Sequence, residues 1–289
     1  MISFLIENVL PSLQSAARAI LLPLPFFALL GVAVKRRTLF TDLRRALPET
    51  RTNLLIHVVD AILVAPILTA MALSVGALFR EYDLTLVPPG AWDGLPPVLV
   101  GFVAVFLGDF IGYWRHRLEH LPLFWPSHAV HHSDTEMTWL AIFRFHPINR
   151  LSTTLVDFTF LLFFGLPPYA LLVNSFVRHF YGAFIHADLP WTYGPLGRVV
   201  VSPAMHRWHH ANDPAAYNTN YATVFSLFDG VFGTFRVPGR CDIPLGVSDR
   251  MEPGLVGQLV HPLRPGSYGF LRQRLRQRLS AFRKEAPDA

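Results

Sequence analysis

Thirteen histidines occur in the chain, and eight of them fall in three short boxes. HRLEH holds His116 and His120, HAVHH holds His128, His131 and His132, and HRWHH holds His206, His209 and His210. His116 and His120 are four residues apart, which on a helix sets both imidazoles on one face, a turn apart. The other two boxes repeat an i, i+3, i+4 spacing, so each can present two or three rings to one point. A single such pair is usually surface decoration, whereas three boxes in one chain point to metal.

Imidazole suits zinc, copper, iron and nickel, so ring type alone does not choose the metal. The number of rings says more. Zinc takes four protein ligands in a structural site, or three and a water in a catalytic one, so eight rings indicate two ions. The metalloprotease helix H-E-x-x-H is absent, because HRLEH carries its glutamate at the fourth position. The one cysteine, Cys241, leaves no iron–sulfur ligand set and no internal disulfide framework, and no haem attachment motif occurs. Acids are available to orient the rings, since a ligating imidazole generally donates its other N–H to a carboxylate or carbonyl. Asp109 lies two helical turns before His116, and Glu119, Asp134, Asp213 and Asp229 lie near other boxes. Asp109 and Asp229 are the acids expected to act at the centre. Asp60 and Asp157 also interrupt apolar runs and are read as helix–helix hydrogen-bonding groups. His57 and His261 are read as structural.

The elements that must position these boxes are largely apolar. The chain is 52% hydrophobic and only 16% charged, with a positive mean hydropathy, which indicates a membrane protein. Three runs read as spans: Ala19–Val34, Leu54–Phe79 and Pro96–Trp114. The N-terminus lacks the basic region and cleavage pattern of a signal peptide. The loop after the first span, KRRTLFTDLRRALPETR, is basic, so it is assigned to the cytoplasmic side, which puts the boxes there too. Leu151–Phe176 is interrupted by Gly165, Pro167 and Pro168, and reads as a helical hairpin that dips into the membrane and returns. Only such a return sets the third box beside the second. The tail from Ser267 to Lys284 spaces leucines among arginines and suits either an anionic membrane surface or the protein's own surface. The net charge of +5 comes with no zinc-finger or ribonucleoprotein motif, so nucleic acid is not an expected partner. No flexible break divides the chain, which reads as one integrated domain: residues 1–95 as N-terminal transmembrane helices, 96–240 as the catalytic region and 241–289 as a cytoplasmic tail.

The three boxes, in this order among apolar spans, resemble those of the fatty acid hydroxylase/sterol desaturase superfamily of membrane di-iron oxygenases. The likeness runs from about Asp109 to Phe235. It includes D-x-x-x-Y-x-x-H-R at Asp109–Arg117, HHS at His131–Ser133, R-x-H-P at Arg144–Pro147 and NYATVFSLFDGVFGTF from Asn220. The resemblance implies an all-α fold, a polytopic membrane helical bundle with a cytoplasmic histidine-rich helical cap. It implies two iron ions held by the eight box histidines, with His186 of FIHADLP as a further ligand. The implied reaction uses O2 and two electrons to hydroxylate or desaturate an unactivated C–H bond of a lipid, sterol-like or fatty-acyl. Some members of the superfamily carry His, Gln or Asn four residues before the histidine matched by His186; here that position is Gly182. Either His179, a turn further back, substitutes for the missing ligand, or water does. His146, before Pro147, is a ligand or orienting candidate. No cytochrome b5-like or flavin domain is fused to these residues, so electrons are expected from a separate ferredoxin or cytochrome b5-like donor with its reductase, docking on the basic face. Two rival readings are a binuclear zinc lipid hydrolase, which would need no reductant, and a non-enzymatic metal transporter or binder, which would need ligands along a transmembrane path.

Overall fold

The computed structural model describes residues 2–269 and Leu271, and among these the fold is all helical, with one isolated bridge between Ala211 and Leu245. The tail helix expected from Ser267 therefore falls mostly outside the described residues. Four helices open the chain: α1 (Ile2–Leu21), α2 (Leu24–Lys35), α3 (Leu39–Val59) and α4 (Ala65–Glu81). The first expected span is not one helix. Leu22 and Pro23 form a turn, so Ala19–Val34 is shared between the end of α1 and the short α2; proline offers no N–H and its ring crowds the preceding turn. The second expected span is helical throughout, but widens to a π-turn over Asp60–Val64. Pro66 follows directly, and the wider turn makes room for a ring that would strike the carbonyl four residues back in a regular helix. The basic loop expected between these spans is itself helical from Leu39.

Helix α5 (Pro97–Glu119) matches the third expected span and is followed by α6 (Trp125–His132). Then α7 (Pro147–Phe163) and α8 (Pro168–His186) form the expected hairpin. Gly165 turns it at φ +60°, a left-handed conformation that costs glycine little, and Pro167 and Pro168 start the return helix. Short helices α9 (Pro203–His209), α10 (Leu227–Val231) and α11 (Gly254–Val260) complete the fold.

Helix α5 lies against both arms of the hairpin. Gly108 and Gly112 permit this approach to α8: a Cβ added at either would sit 2.1 Å from Asn174 Oδ1 or Arg178 Nη2, respectively. Around the upper part of α5, Tyr113, Ile185, Val201 and Met205 are fully buried in one apolar cluster. Each is worth roughly 1.5–3 kcal/mol of burial free energy, so the cluster fixes α5, α8 and α9 relative to one another.

Among the described residues, two stretches are long and apolar enough to cross a membrane: the run of helices within Glu7–Glu81 and α5. Only 17% of the most apolar window of the first is buried. Leu63, Ile67 and Leu73 point outward from it, as do Val98 and Phe102 from α5 and Leu172 and Phe176 from α8. An apolar outer face of that extent suits hydrocarbon, not water.

Candidate metal centre

Each box sits on a helix that ends at or beside it. His116 is on the last turn of α5 and His120 is its C-cap; α6 carries the second box, and α9, with His210 as its C-cap, carries the third. Ser202 caps α9 by accepting a hydrogen bond from Met205 N at 3.1 Å, and Pro203 begins the helix. The flanking residues lock these pieces together. Arg144 donates from Nε to Ser133 Oγ (3.1 Å) and from Nη1 to Asn53 Oδ1 (3.2 Å), and pairs with Glu49; Asn53 in turn donates to Asp134 (2.8 Å). Box two is thus fastened to α3 by groups buried with it.

The nine histidines form two groups. His116, His120, His128, His132 and His209 bring one ring nitrogen each to within 4.8 Å of one another, and His131, His186, His206 and His210 do the same. The groups touch where His132 stacks on His210, centroids 4.3 Å apart. All eight box histidines and His186 are therefore in one centre, drawn from α5, α6, α8 and α9. His179 and His146 join neither group. His179 faces Phe143 at 5.7 Å, because it lies seven residues before His186 and the missing position is Gly182. His146 caps α7, accepting from Ile148 N at 3.2 Å and contacting Leu259 O at 3.1 Å.

Ring orientation shows what the centre is built to hold. His116 donates from Nδ1 to Tyr221 O and His209 from Nδ1 to Thr219 O, both at 2.7 Å. Their protons are thereby placed on Nδ1, yet their Nε2 atoms face each other at 3.0 Å. Two lone pairs cannot bond to each other; such a contact is stable with a cation between the nitrogens. His206 and His186 also bring their Nε2 atoms together, at 3.0 Å, and His120 Nε2 is buried with no partner among the described residues. Burial, and then the charge of neighbouring rings, holds His132, His206 and His210 well below the usual imidazole range, and burial takes His209 to about 3. At neutral pH these rings are uncharged, the form a metal takes. The residues present fit two metal ions.

The acids act differently from the sequence-based expectation. Asp109 does not touch His116: its carboxylate accepts from the backbone N–H groups of Thr223, Val224 and Phe225 at 2.7–3.1 Å. Asp229, its pKa pushed up to about 6 by burial, accepts from Tyr221 N, Ala222 N and the Thr234 hydroxyl at 2.7–3.0 Å. Both acids fix the loop whose carbonyls aim His116 and His209. Asn218 and Asn220, each at φ +60°, bend that loop. Side chains that do reach a box histidine include Asn149, accepting from His128 Nδ1 at 3.0 Å, and Glu119, 3.4 Å from the same nitrogen. Glu119 was legible as an acid beside a box; Asn149, three residues after His146, carried no signal. Asp157 and Asp60 are ion-paired rather than simply hydrogen-bonded, to Arg115 and Arg178 and to Arg150. Asp213 caps a turn at Ala215 N (2.8 Å). Cys241 is buried against Trp208 and Ala216, so its loop does not expose the thiol.

Residues 101–234 match the fatty acid hydroxylase family. The ornithine lipid hydroxylase OlsE of Rhizobium tropici is 33% identical over 177 residues, 60% of this chain and 52% of that protein. Alkylglycerol monooxygenase of Homo sapiens is 31% identical over 160 residues, 55% of this chain and 33% of that protein. A Delta(7)-sterol 5(6)-desaturase of Gibberella zeae is 30% identical over 183 residues, 62% and 48% of the two chains. The chain thus spans about half the length, or less, of these relatives. No solved structure matches it.

Proposed function

From the premise that this chain carries a fatty acid hydroxylase domain, we propose that it is a membrane di-iron oxygenase. It hydroxylates or desaturates an unactivated C–H bond of a lipid with O2 and electrons from a separate donor. The observation that carries this reading is the acceptor-to-acceptor contact of His116 and His209 inside a group of five imidazoles. Five nitrogen donors exceed the tetrahedral set zinc prefers, and neither group contains a carboxylate, which argues against a zinc hydrolase. A transporter would space its ligands along a path; here they converge on one centre. The relatives are named for ornithine lipid, alkylglycerol and sterol, and what these share is a lipid.

The five-histidine group would hold one iron and the four-histidine group the other. Bound iron supplies O2 binding and redox chemistry to the site. The chain supplies the rest: Tyr221 O, Thr219 O and Asn149 orient rings, and burial keeps them neutral. Asp109 and Asp229 are positioning residues in this scheme. In this reading residues 1–95 and the hairpin anchor the site in the membrane, and the basic charge of Lys35–Arg51 favours the cytoplasmic side, where a ferredoxin or cytochrome b5-like donor would dock.

Metal analysis of protein from iron-replete cells should give about two irons per chain, from the ligand count. Lipid extracts from cells with and without the protein should differ by one oxygen or two hydrogens. Stoichiometric zinc with turnover independent of O2 and reductant overturns the reading. For topology, cysteines at the exposed Asp242 and Glu81 on a Cys241→Ser background should label from opposite sides of the membrane.

A further inference from the structure

A cavity of about 550 Å³ lies between α1, the Asp60–Val64 turn, α7 and α8, outside both histidine groups. One wall adjoins the centre: Phe145 lies flat on His131, centroids 4.4 Å apart and planes 10° apart. For a space beside apolar helices its lining is unusually polar. Arg150 donates to Asp60 from Nε at 3.1 Å and from Nη2 at 3.3 Å, which leaves its Nη1 without a partner among the described residues. The hydroxyls of Ser12 and Ser175 and the ring nitrogens of His179 also line the space and make no hydrogen bond among the described residues. His57 donates from Nε2 to Ala16 O (3.2 Å) and stacks on Phe143.

An acid inside an apolar run is costly and needs a reason. Pairing with Arg150 neutralises Asp60, but a helix staple alone does not require a cavity or its free polar groups. An aliphatic chain entering this space would leave those groups unsatisfied. An ion of single sign would meet its like charge next to its partner. A head carrying both signs a few atoms apart matches both, because each charge can share one member of the existing pair.

We infer that this cavity binds the head of a zwitterionic amphiphile, with Asp60 taking its ammonium and Arg150 its phosphate or carboxylate. The inference rests on the lipid-oxygenase reading and names the substrate class of that site. The π-turn has a part in it, since it sets Asp60 on the cavity wall facing Arg150.

The test is equilibrium binding to the purified full-length protein, with metal content and thermal unfolding measured on the same samples. Lysophosphatidylethanolamine, lysophosphatidylglycerol, a monoacylglycerol and an alkylamine of equal chain length are compared. The zwitterion should bind tightest, by about tenfold or more over the neutral lipid. Asp60→Asn and Arg150→Gln should each remove that preference, the first shifting it toward the anionic lipid and the second toward the amine. If either variant unfolds, Ser12→Phe decides: it fills the cavity without touching the pair, and should abolish binding while leaving metal content unchanged. Equal binding of zwitterion and monoacylglycerol by the wild type, or zwitterion binding that survives Ser12→Phe, overturns the inference. Neither result bears on the oxygenase reading, which stands or falls on iron and O2 dependence.

Discussion

The two histidine groups are built from the same residue but held to different standards. In the five-histidine group His116, His209 and His128 each anchor Nδ1 on a fixed oxygen. In the four-histidine group His186 does, donating to Gly182 O at 2.6 Å, and His131 has a backbone contact to Arg144; the Nδ1 atoms of His206 and His210 are buried without partners among the described residues. The same group lacks a side chain at Gly182, where a Cβ would meet Ile142 Cδ1 at 2.9 Å. One group is oriented by a clamped loop and fully supplied with rings. The other has fewer donors and freer rings, and it adjoins the cavity. The contrast suggests a division of labour, in which one ion is held tightly and the other keeps a position for exchangeable ligands.

The sharpest break of this comparison is His209→Ala, which removes a ring from the well-held group. Activity should fall by more than the ~10–100-fold typical of losing an orienting partner, with loss of metal from that group. His179→Ala, outside both groups, should keep the full metal content. Equal metal content in the two variants would remove His209 from the centre. Asp109→Asn comes next. It keeps the shape of the carboxylate but weakens three backbone hydrogen bonds, and through Tyr221 O it loosens His116. Activity should drop about 10–100-fold, with metal loss confined to the five-histidine group. An equal effect on both groups would show that the loop does not discriminate between them.

How far these features were legible follows from their range in sequence. The box spacing is a local pattern, and the three boxes do meet in one centre; the hairpin was legible from Gly165 and the two prolines that follow. The division into five and four was not, because it depends on how α5, α6, α8 and α9 approach, set by contacts such as Gly112 on Arg178. Asp109 was noticed for the right reason, a buried acid needing partners. Helical periodicity pointed it at His116, whereas its hydrogen-bond partners are backbone groups more than a hundred residues away, with Arg178 beside it. The first span is two helices and not one because of the turn at Pro23, whose consequence hydropathy does not register.

A smaller effect should appear in metal removal. Titration with a chelator should be biphasic, the four-histidine group emptying first at roughly tenfold lower chelator concentration, as expected when orienting partners are missing. Gly182→His in an Ile142→Ala background places a ring one turn from His186 on the same face and should delay the first phase. A single phase, unmoved by that ring, would mean the groups bind as one unit.

The smallest expected effect lies outside both groups, at His146. Its Nδ1 accepts from Ile148 N, so Nε2 carries the proton and donates to Leu259 O, joining the start of α7 to the end of α11. Protonation at Nδ1 would abolish the cap. Burial holds this imidazole below its ordinary pKa, with the nearby His261 also lowering it. Between the folded pKa and the unfolded value near 6.5, the unfolded chain binds more protons than the native one. Stability contributed by this ring is therefore present above that window and lost as pH falls through it. Asparagine keeps an N-cap acceptor and does not titrate. The unfolding temperature of His146→Asn should accordingly fall less than that of the wild type between pH 7 and pH 5, a difference worth about 1 kcal/mol or less. Parallel curves would show that this cap does not depend on the neutral ring, and that acid sensitivity resides in the histidine groups alone.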